Sequence, residues 1–150
     1  VTDSGGAGKF RGGVGVYKEI RFLMDDFTFT NLTTREKHVP GSPSGAKPGA
    51  MGSTILVQDG GEQVLEGKGT YHHLKQGAVL KLLAAGAGGY GDPLERDPQA
   101  VLNDVLNRVV SVAGARRDYG VAIDSGALEV DANETRDLRR AMREAAAGAS

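Results

Sequence analysis

The residues best suited to chemistry lie in two glycine-rich stretches. Residues 3–15 read Asp3-Ser4-Gly5-Gly6-Ala7-Gly8-Lys9-Phe10-Arg11-Gly12-Gly13-Val14-Gly15, and seven of these thirteen are Gly or Ala. Lys9 and Arg11 project from a backbone whose successive N–H groups can form an anion-binding nest. Arg11 can clamp a carboxylate or phosphate through two parallel hydrogen bonds. Residues 86–97 (GAGGYGDPLERD) offer Tyr90 and Asp92 to orient a polar ligand. The candidate substrate-binding residues are therefore Asp3, Ser4, Lys9, Arg11, Tyr90 and Asp92, with no catalytic residue singled out. The competing account of both stretches is loop scaffolding with an Arg–Asp pair.

Several apparent motifs fail on their own terms. Asp3-Ser4-Gly5-Gly6 resembles a serine-protease nucleophile segment, but His38, His72 and His73 all follow the serine, the reverse of the trypsin-like order. Gly8-Lys9 lacks the P-loop pattern, with Asp3 at its first glycine position and Phe10 where Ser or Thr must hold magnesium. Gly86–Gly91 matches G-x-G-x-x-G, but Pro93 and the late Asp97-Pro98 deny the helix a dinucleotide fingerprint needs at that turn. Adjacent His72 and His73 point to opposite faces of a strand, so they do not share a metal; one buried and one exposed ring is expected. No His/Asp/Glu cluster has metal-ligand spacing. The Arg116-Arg117-Asp118 and Arg136–Arg143 charges are expected on solvated helix faces.

Composition sets the background. The chain has 150 residues, 23 of them glycine, and 39 % apolar residues against the usual ~45–50 %. A net charge of −1 provides no field for nucleic acid or an anionic membrane. The absence of cysteine removes disulfides and thiolate chemistry from this segment. No apolar run approaches ~18 residues, so no membrane helix is expected.

The elements that must position these loops are strands first and helices last, giving an α+β fold. Val14, Val16, Ile20 and Phe22 share a strand face over Gly13–Leu23, and Phe27–Thr30 alternates after Asp25-Asp26, suggesting a hairpin. Residues 39–53, rich in Gly and Pro, form a long irregular loop. Thr54–Val57 is a strand turning at Asp59-Gly60-Gly61. Tyr71–Leu74 and Ala78–Leu83 suggest a second hairpin about Gln76-Gly77. Asp97-Pro98 opens a helix carrying Val101, Leu102, Val105, Leu106 and Val109 on one face. Ser111 caps a second helix ending near Gly120 despite Gly114 inside it. Asp131–Glu134 resembles a capping box opening a helix with Leu138 and Met142 on one face and fraying toward Ser150. The chain is read as one domain, 1–150, mainly β over 1–84 and mainly helical over 97–147.

Four segments, in order, resemble the hydantoinase B/oxoprolinase family. DSGGAGKFRGGVG is similar to its D-S-G-G-x-G-[KR]-x-R-G-G-x-G segment. GSPSGAKPGAMGST is similar to the Gly/Pro loop that follows. GAGGYGDPLERDPQAVLNDV resembles its G-G-G-G-Y-G-D-P-x-x-R-D-P segment with the next helix. VVSVAGARRDYGVAID resembles the V-S-x-x-x-A-R-x-x-Y-G-V segment after that. Ala87 stands where the pattern has glycine, Gly114 where Ala or Glu is commoner, and residues 24–40 match little of it.

The resemblance implies the C-terminal part of a longer cytoplasmic subunit, in keeping with a start that has neither Met nor signal peptide. It implies an ATP-dependent hydrolase of cyclic amides such as hydantoins or 5-oxoproline, related to acetone and acetophenone carboxylases. A ketone carboxylase segment or a non-catalytic assembly module are the alternatives. ATP and a divalent metal would bind outside this segment, and a hydantoinase A-type subunit or domain would be its partner in a hetero-oligomer. This segment, inactive alone, would wall a small-molecule substrate site. Arg11 and its loop would hold an anionic or carbonyl oxygen, with Tyr90 and Asp92 in support.

Overall fold

A computed structural model describes residues 1–148, and the fraying expected toward Ser150 falls outside them. The α+β expectation holds. Eight strands come as β1 (Tyr17–Arg21), β2 (Phe27–Leu32), β3 (Ser53–Gln58), β4 (Gly61–Leu65), β5 (Lys68–Leu74), β6 (Val79–Leu83), β7 (Ile123–Asp124) and β8 (Glu129–Val130). The helices are α1 (Pro98–Leu106), α2 (Val112–Tyr119) and α3 (Ala132–Gly148), and a short 3-10 turn covers Pro93–Glu95. No described helix is long and apolar enough to cross a membrane.

The strands form an antiparallel four-stranded sheet in the order β1-β6-β3-β4, a β2-β5 ribbon and the small β7-β8 ribbon. The β3–β4 turn forms as expected: Asp59 and Gly60 both have positive φ (54° and 78°), the twist a two-residue hairpin needs. Two other expected hairpins do not form. β1 pairs with β6 rather than β2, and β5 pairs with β2 rather than β6. The Phe22 and Phe27 rings pack 4.3 Å apart, and their burial against Leu74 and Leu80 sends the intervening chain from one sheet to the other. Long-range apolar contact outweighs proximity in sequence here.

The strand face proposed for Gly13–Leu23 lies on the inner side of the sheet but is fully buried only at Phe22. Ile20, on edge strand β1, is 39 % exposed, and Val16, just before that strand, is 61 % exposed. Nor is either neighbouring histidine buried. β2 and β5 lose register between Phe27 and Phe29, and His73 sits at φ 56°, so this irregularity brings both rings to the surface. His73 pairs with Asp26 at 2.6 Å and His72 with Thr28 at 3.2 Å.

The helix signals are accurate at their starts. Asp97 accepts the Gln99 N–H, Pro98 occupies the first turn, and Val101 and Leu102 are buried. The helix ends at Leu106, which is exposed, and Val109 lies beyond it. Ser111 accepts the Gly114 N–H, and Gly120 closes α2 in the left-handed conformation at φ 59°. At α3, Asp131 accepts the Glu134 N–H, but Glu134 reaches Arg116 instead of returning the bond, so only half of the capping box exists. Arg139 departs from the solvated face: partly buried, it donates to the carbonyls of Tyr119 and Arg96.

Two apolar clusters result. Leu56, Leu65, Leu74, Ala78, Leu80 and Phe22 join the sheet to the β2-β5 ribbon. Val101, Val110, Ala115, Tyr119, Val121 and Ala7 join the helices to the first glycine stretch. Between the clusters run three glycine-rich segments, each bonded to the other two. Gly6 N–H donates to Ala87, Ala87 N–H to Gly13, Lys47 N–H to Ala7, Gly89 N–H to Lys47, Ala50 N–H to Ser4 and Gly86 N–H to Ala50, all within 3.1 Å. A Cβ on Gly86 would lie 1.7 Å from the Ser4 carbonyl oxygen, so no side chain fits there. Gly13 faces open space.

Gly86→Ala should therefore destabilise the protein by about 3 kcal/mol, the upper end of ordinary overpacking costs. Gly13→Ala should stay within about 0.5 kcal/mol. Urea denaturation of the two variants checks the contrast; equal stabilities would refute the backbone contact.

Candidate functional site

The glycine bundle sorts the six candidate residues into two places. Asp3 and Ser4 lie at one end, against the start of α2. Lys9, Arg11, Tyr90 and Asp92 lie at the other, where the first and third glycine segments meet the 3-10 turn and α1.

At the first end the side chains hold backbone. Asp3, at φ 59°, accepts the Ser111 N–H at 2.8 Å. A Cβ on Gly114 would stand 2.4 Å from that carboxylate, which explains the glycine inside α2. Ser4 is buried; its hydroxyl donates to the Val1 carbonyl and accepts the Gly15 N–H at 2.8 Å. Both hydroxyl functions are thus engaged in closing the loop.

At the other end, Phe10 and Tyr90 form an isolated antiparallel bridge, with rings 6.3 Å apart. Phe10 is 62 % and Tyr90 55 % exposed, so together they present an aromatic surface to solvent. Beside them Lys9 pairs with Glu95 at 3.1 Å, both half-exposed. Asp92 accepts the Leu94 N–H and caps the 3-10 turn. Lys9, Phe10, Tyr90 and Glu95 are exposed at this end; Asp92 is engaged from below.

Arg11 sits under that surface in an ion triad. Its Nε lies 3.2 Å from Asp104 Oδ1, and Arg96 Nη2 lies 2.9 Å from Asp104 Oδ2. Arg11 Nη1 also donates to the Gly12 carbonyl at 2.6 Å, and Arg96 Nη1 to the Lys9 carbonyl at 3.0 Å. All three side chains are less than one-fifth exposed. The Arg–Asp scaffold weighed against ligand binding is therefore present, with Asp104 as its hub. Asp104 and Arg96 were not among the candidates. Helical spacing held the signal, since Asp104 follows Val101 by three positions and so falls on the buried face.

The triad is imperfectly satisfied. Arg11 Nε approaches the carboxylate without the alignment of a hydrogen bond, and Arg96 Nε and Tyr119 Oη are buried without a hydrogen-bond partner. Burial pushes the Tyr119 phenol up to about 12 from its ordinary 10.0, the nearby guanidiniums of Arg96 and Arg11 opposing the rise. On the far side of α2, Asp118 receives both Lys47 at 2.7 Å and Arg117 at 2.6 Å. Burial opposes ionisation there, but these two cations hold its carboxyl below the ordinary carboxylate range.

The loop's N–H groups bear on anion binding. Those of Asp3, Ser4, Gly6, Lys9, Phe10, Gly12 and Gly15 all donate to groups within the protein. Among the described residues, no three His, Asp or Glu side chains are placed to hold a metal ion. This donor set does not fit a metal.

Comparison with known proteins places the fold. A family model described as hydantoinase B/oxoprolinase matches residues 1–93. The beta chain of the caprolactamase of Pseudomonas jessenii is 38 % identical over 83 % of this chain and 22 % of its own length. The solved structure of the ATP-dependent caprolactamase from that organism superposes with a TM-score of 0.74 at 32 % identity, covering 93 % of this chain and 25 % of that one. A Pseudomonas protein assigned as the B-type subunit of a D-/L-hydantoinase is 32 % identical over 89 % of this chain and 22 % of its own. The acetophenone carboxylase delta subunit of Aromatoleum aromaticum is 30 % identical over 95 % and 25 %, respectively. The chain thus spans about a quarter of the length of each of these three curated relatives.

Two substitutions test the buried triad. Asp104→Ala leaves two partly buried guanidiniums without their carboxylate and should cost about 3 kcal/mol in urea denaturation. Tyr119→Phe removes an unpartnered hydroxyl and should raise stability by about 1 kcal/mol at neutral pH. Because the folded phenol titrates above its unfolded value, its contribution is intact below pH 10 and lost as pH rises from 10 toward 12. Stability measured across that window should fall less in Tyr119→Phe than in the parent; identical curves would overturn the assignment.

Proposed function

The chain belongs to the hydantoinase B/oxoprolinase family, and we propose that it forms part of a subunit of an ATP-dependent cyclic-amide hydrolase. The similarity to a caprolactamase carries this reading. That relative is 38 % identical and its enzyme has a matching fold, and caprolactam is itself a cyclic amide. The hydantoinase-like relative points to the same bond class. Under this reading the whole enzyme is a cytoplasmic hetero-oligomer with a hydantoinase A-type partner, and ATP and a divalent metal bind outside this segment. A carboxylase role is the second reading, favoured by the acetophenone carboxylase similarity across 95 % of the chain.

Within that enzyme the segment acts as a rigid wall. Lys9 and Tyr90 are the candidate side chains a substrate can reach, together with Phe10. Arg11 shapes the wall from beneath, with one guanidinium edge toward Asp104. Asp3, Ser4 and Asp92 act through the backbone they fix. A rigid loop with few exposed polar groups suits orientation of a neutral ring better than proton transfer.

Release of ADP from the complete subunit with its partner tests the reaction. A cyclic amide should stimulate it; stimulation only by a ketone with bicarbonate would establish the carboxylase instead. Residue roles separate in the same assay. Tyr90→Ala should lower kcat/KM about tenfold without changing thermal stability, the size of one lost aromatic contact. Arg11→Ala should lower stability first. A kcat/KM loss there worth about 1.5–3 kcal/mol in fully folded enzyme would instead place Arg11 on the substrate.

A further inference from the structure

The four-stranded sheet has two faces, and the chain covers one. Opposed residues in an antiparallel ladder share a face. Ile20, Leu80 and Leu56 face inward together, as do Leu82, Thr54 and Leu65, against the β2-β5 ribbon. The register places Leu83, Ile55, Val64, Val57 and Val79 on the opposite face, flanked at one edge by Tyr17, Glu19 and Arg21 of β1. Val64 is 71 % exposed, and Leu83, Ile55, Val57 and Val79 are half-buried. Among the described residues, no helix makes an extended contact with this sheet.

An antiparallel sheet with one solvated face alternates apolar and polar residues, whereas a strand apolar on both faces is typical of burial on both. β3 reads Ser53-Thr54-Ile55-Leu56-Val57-Gln58, and its central residues are apolar on both sides. β6, Val79-Leu80-Lys81-Leu82-Leu83, is apolar except for Lys81. Lys81 is paired at 2.5 Å with Glu62 on the same outer face. Such a pair lowers the cost of covering a charge.

We infer that the outer face of β3, β4 and β6 is the seat of an apolar layer from the same subunit, beyond the residues described. This rests on the reading of the chain as part of a longer subunit. It is supported by relatives that carry the matching region within chains about four times as long. The occupant must be apolar, with a polar group opposite the Lys81–Glu62 pair.

The chain has no cysteine, so a single one introduced here is unambiguous within this segment. Val64→Cys, Ile55→Cys and Val79→Cys would be made in the full-length subunit and exposed to a thiol reagent, with peptide mass mapping as readout. Native labelling at least tenfold slower than in denaturant, in the isolated subunit and at every concentration, is the expected result. Fast native labelling at Val64→Cys would overturn the inference. Protection only when the partner subunit is added, or only at high concentration, would replace the occupant with that partner or with a second copy. An intact mass of the native protein equal to these 150 residues would end the longer-subunit reading itself, a result the labelling rates do not prejudge.

Discussion

Three lengths of backbone can lie in mutual hydrogen-bonding contact only where side chains are absent between them. Residues 4–15, 47–50 and 86–91 meet this condition, and each segment donates to or accepts from both of the others. Glycine here answers a demand for space more than for unusual dihedral angles. At Gly6, Gly12 and Gly86 an added Cβ would fall within 2.1 Å of a carbonyl oxygen on another segment. The bundle links the two apolar clusters, Ala7 packing directly into the helical one.

The helices are tied to this bundle by charge and by cap. Arg11 and Arg96 converge on Asp104, which fixes α1 against the first glycine segment. Asp3 reaches the N-terminus of α2, 108 residues away in sequence. Arg139 donates to the carbonyl of Tyr119 at the end of α2 and to that of Arg96, bringing α3 to the same junction. Placing a cation at the C-terminal end of α2 suits the partial negative charge there. The exposed Lys9, Phe10 and Tyr90 thus stand on a base held from several directions, and their positions depend on groups that a ligand need not touch.

Local chemistry was legible in the sequence where a short stretch decides the outcome. The Asp59-Gly60 turn, the Asp97 and Ser111 caps and the Gly120 stop all rest on a few adjacent residues. Strand pairing did not, because β1 and β5 choose partners by the contacts of Phe22, Phe27 and Leu74 across the fold. The glycine stretches announced themselves as unusual, but a repeated glycine serves an anion nest and a packed backbone equally well in sequence. Arg11 could likewise be read toward a ligand or toward an acid. Only the position of Asp104 on the inner side of α1 distinguishes these, and that needs the helix to be docked.

The order in which the bundle's segments occur carries a cost in time. Its three segments are separated by roughly thirty to forty residues each, so none of the contacts between them is local. Chains dominated by distant pairings close slowly, because loop entropy is lost before the contacts that reward it are made. The β3–β4 hairpin can form at once, whereas residues 4–15 can meet residues 47–50 early but cannot complete the bundle until residues 86–91 are synthesised. In the interval the first segment has backbone groups open to water and few apolar side chains to collapse upon. A nascent chain of this design is expected to depend on late, concerted closure, with the Ala7 contact joining the helical cluster only at that final step.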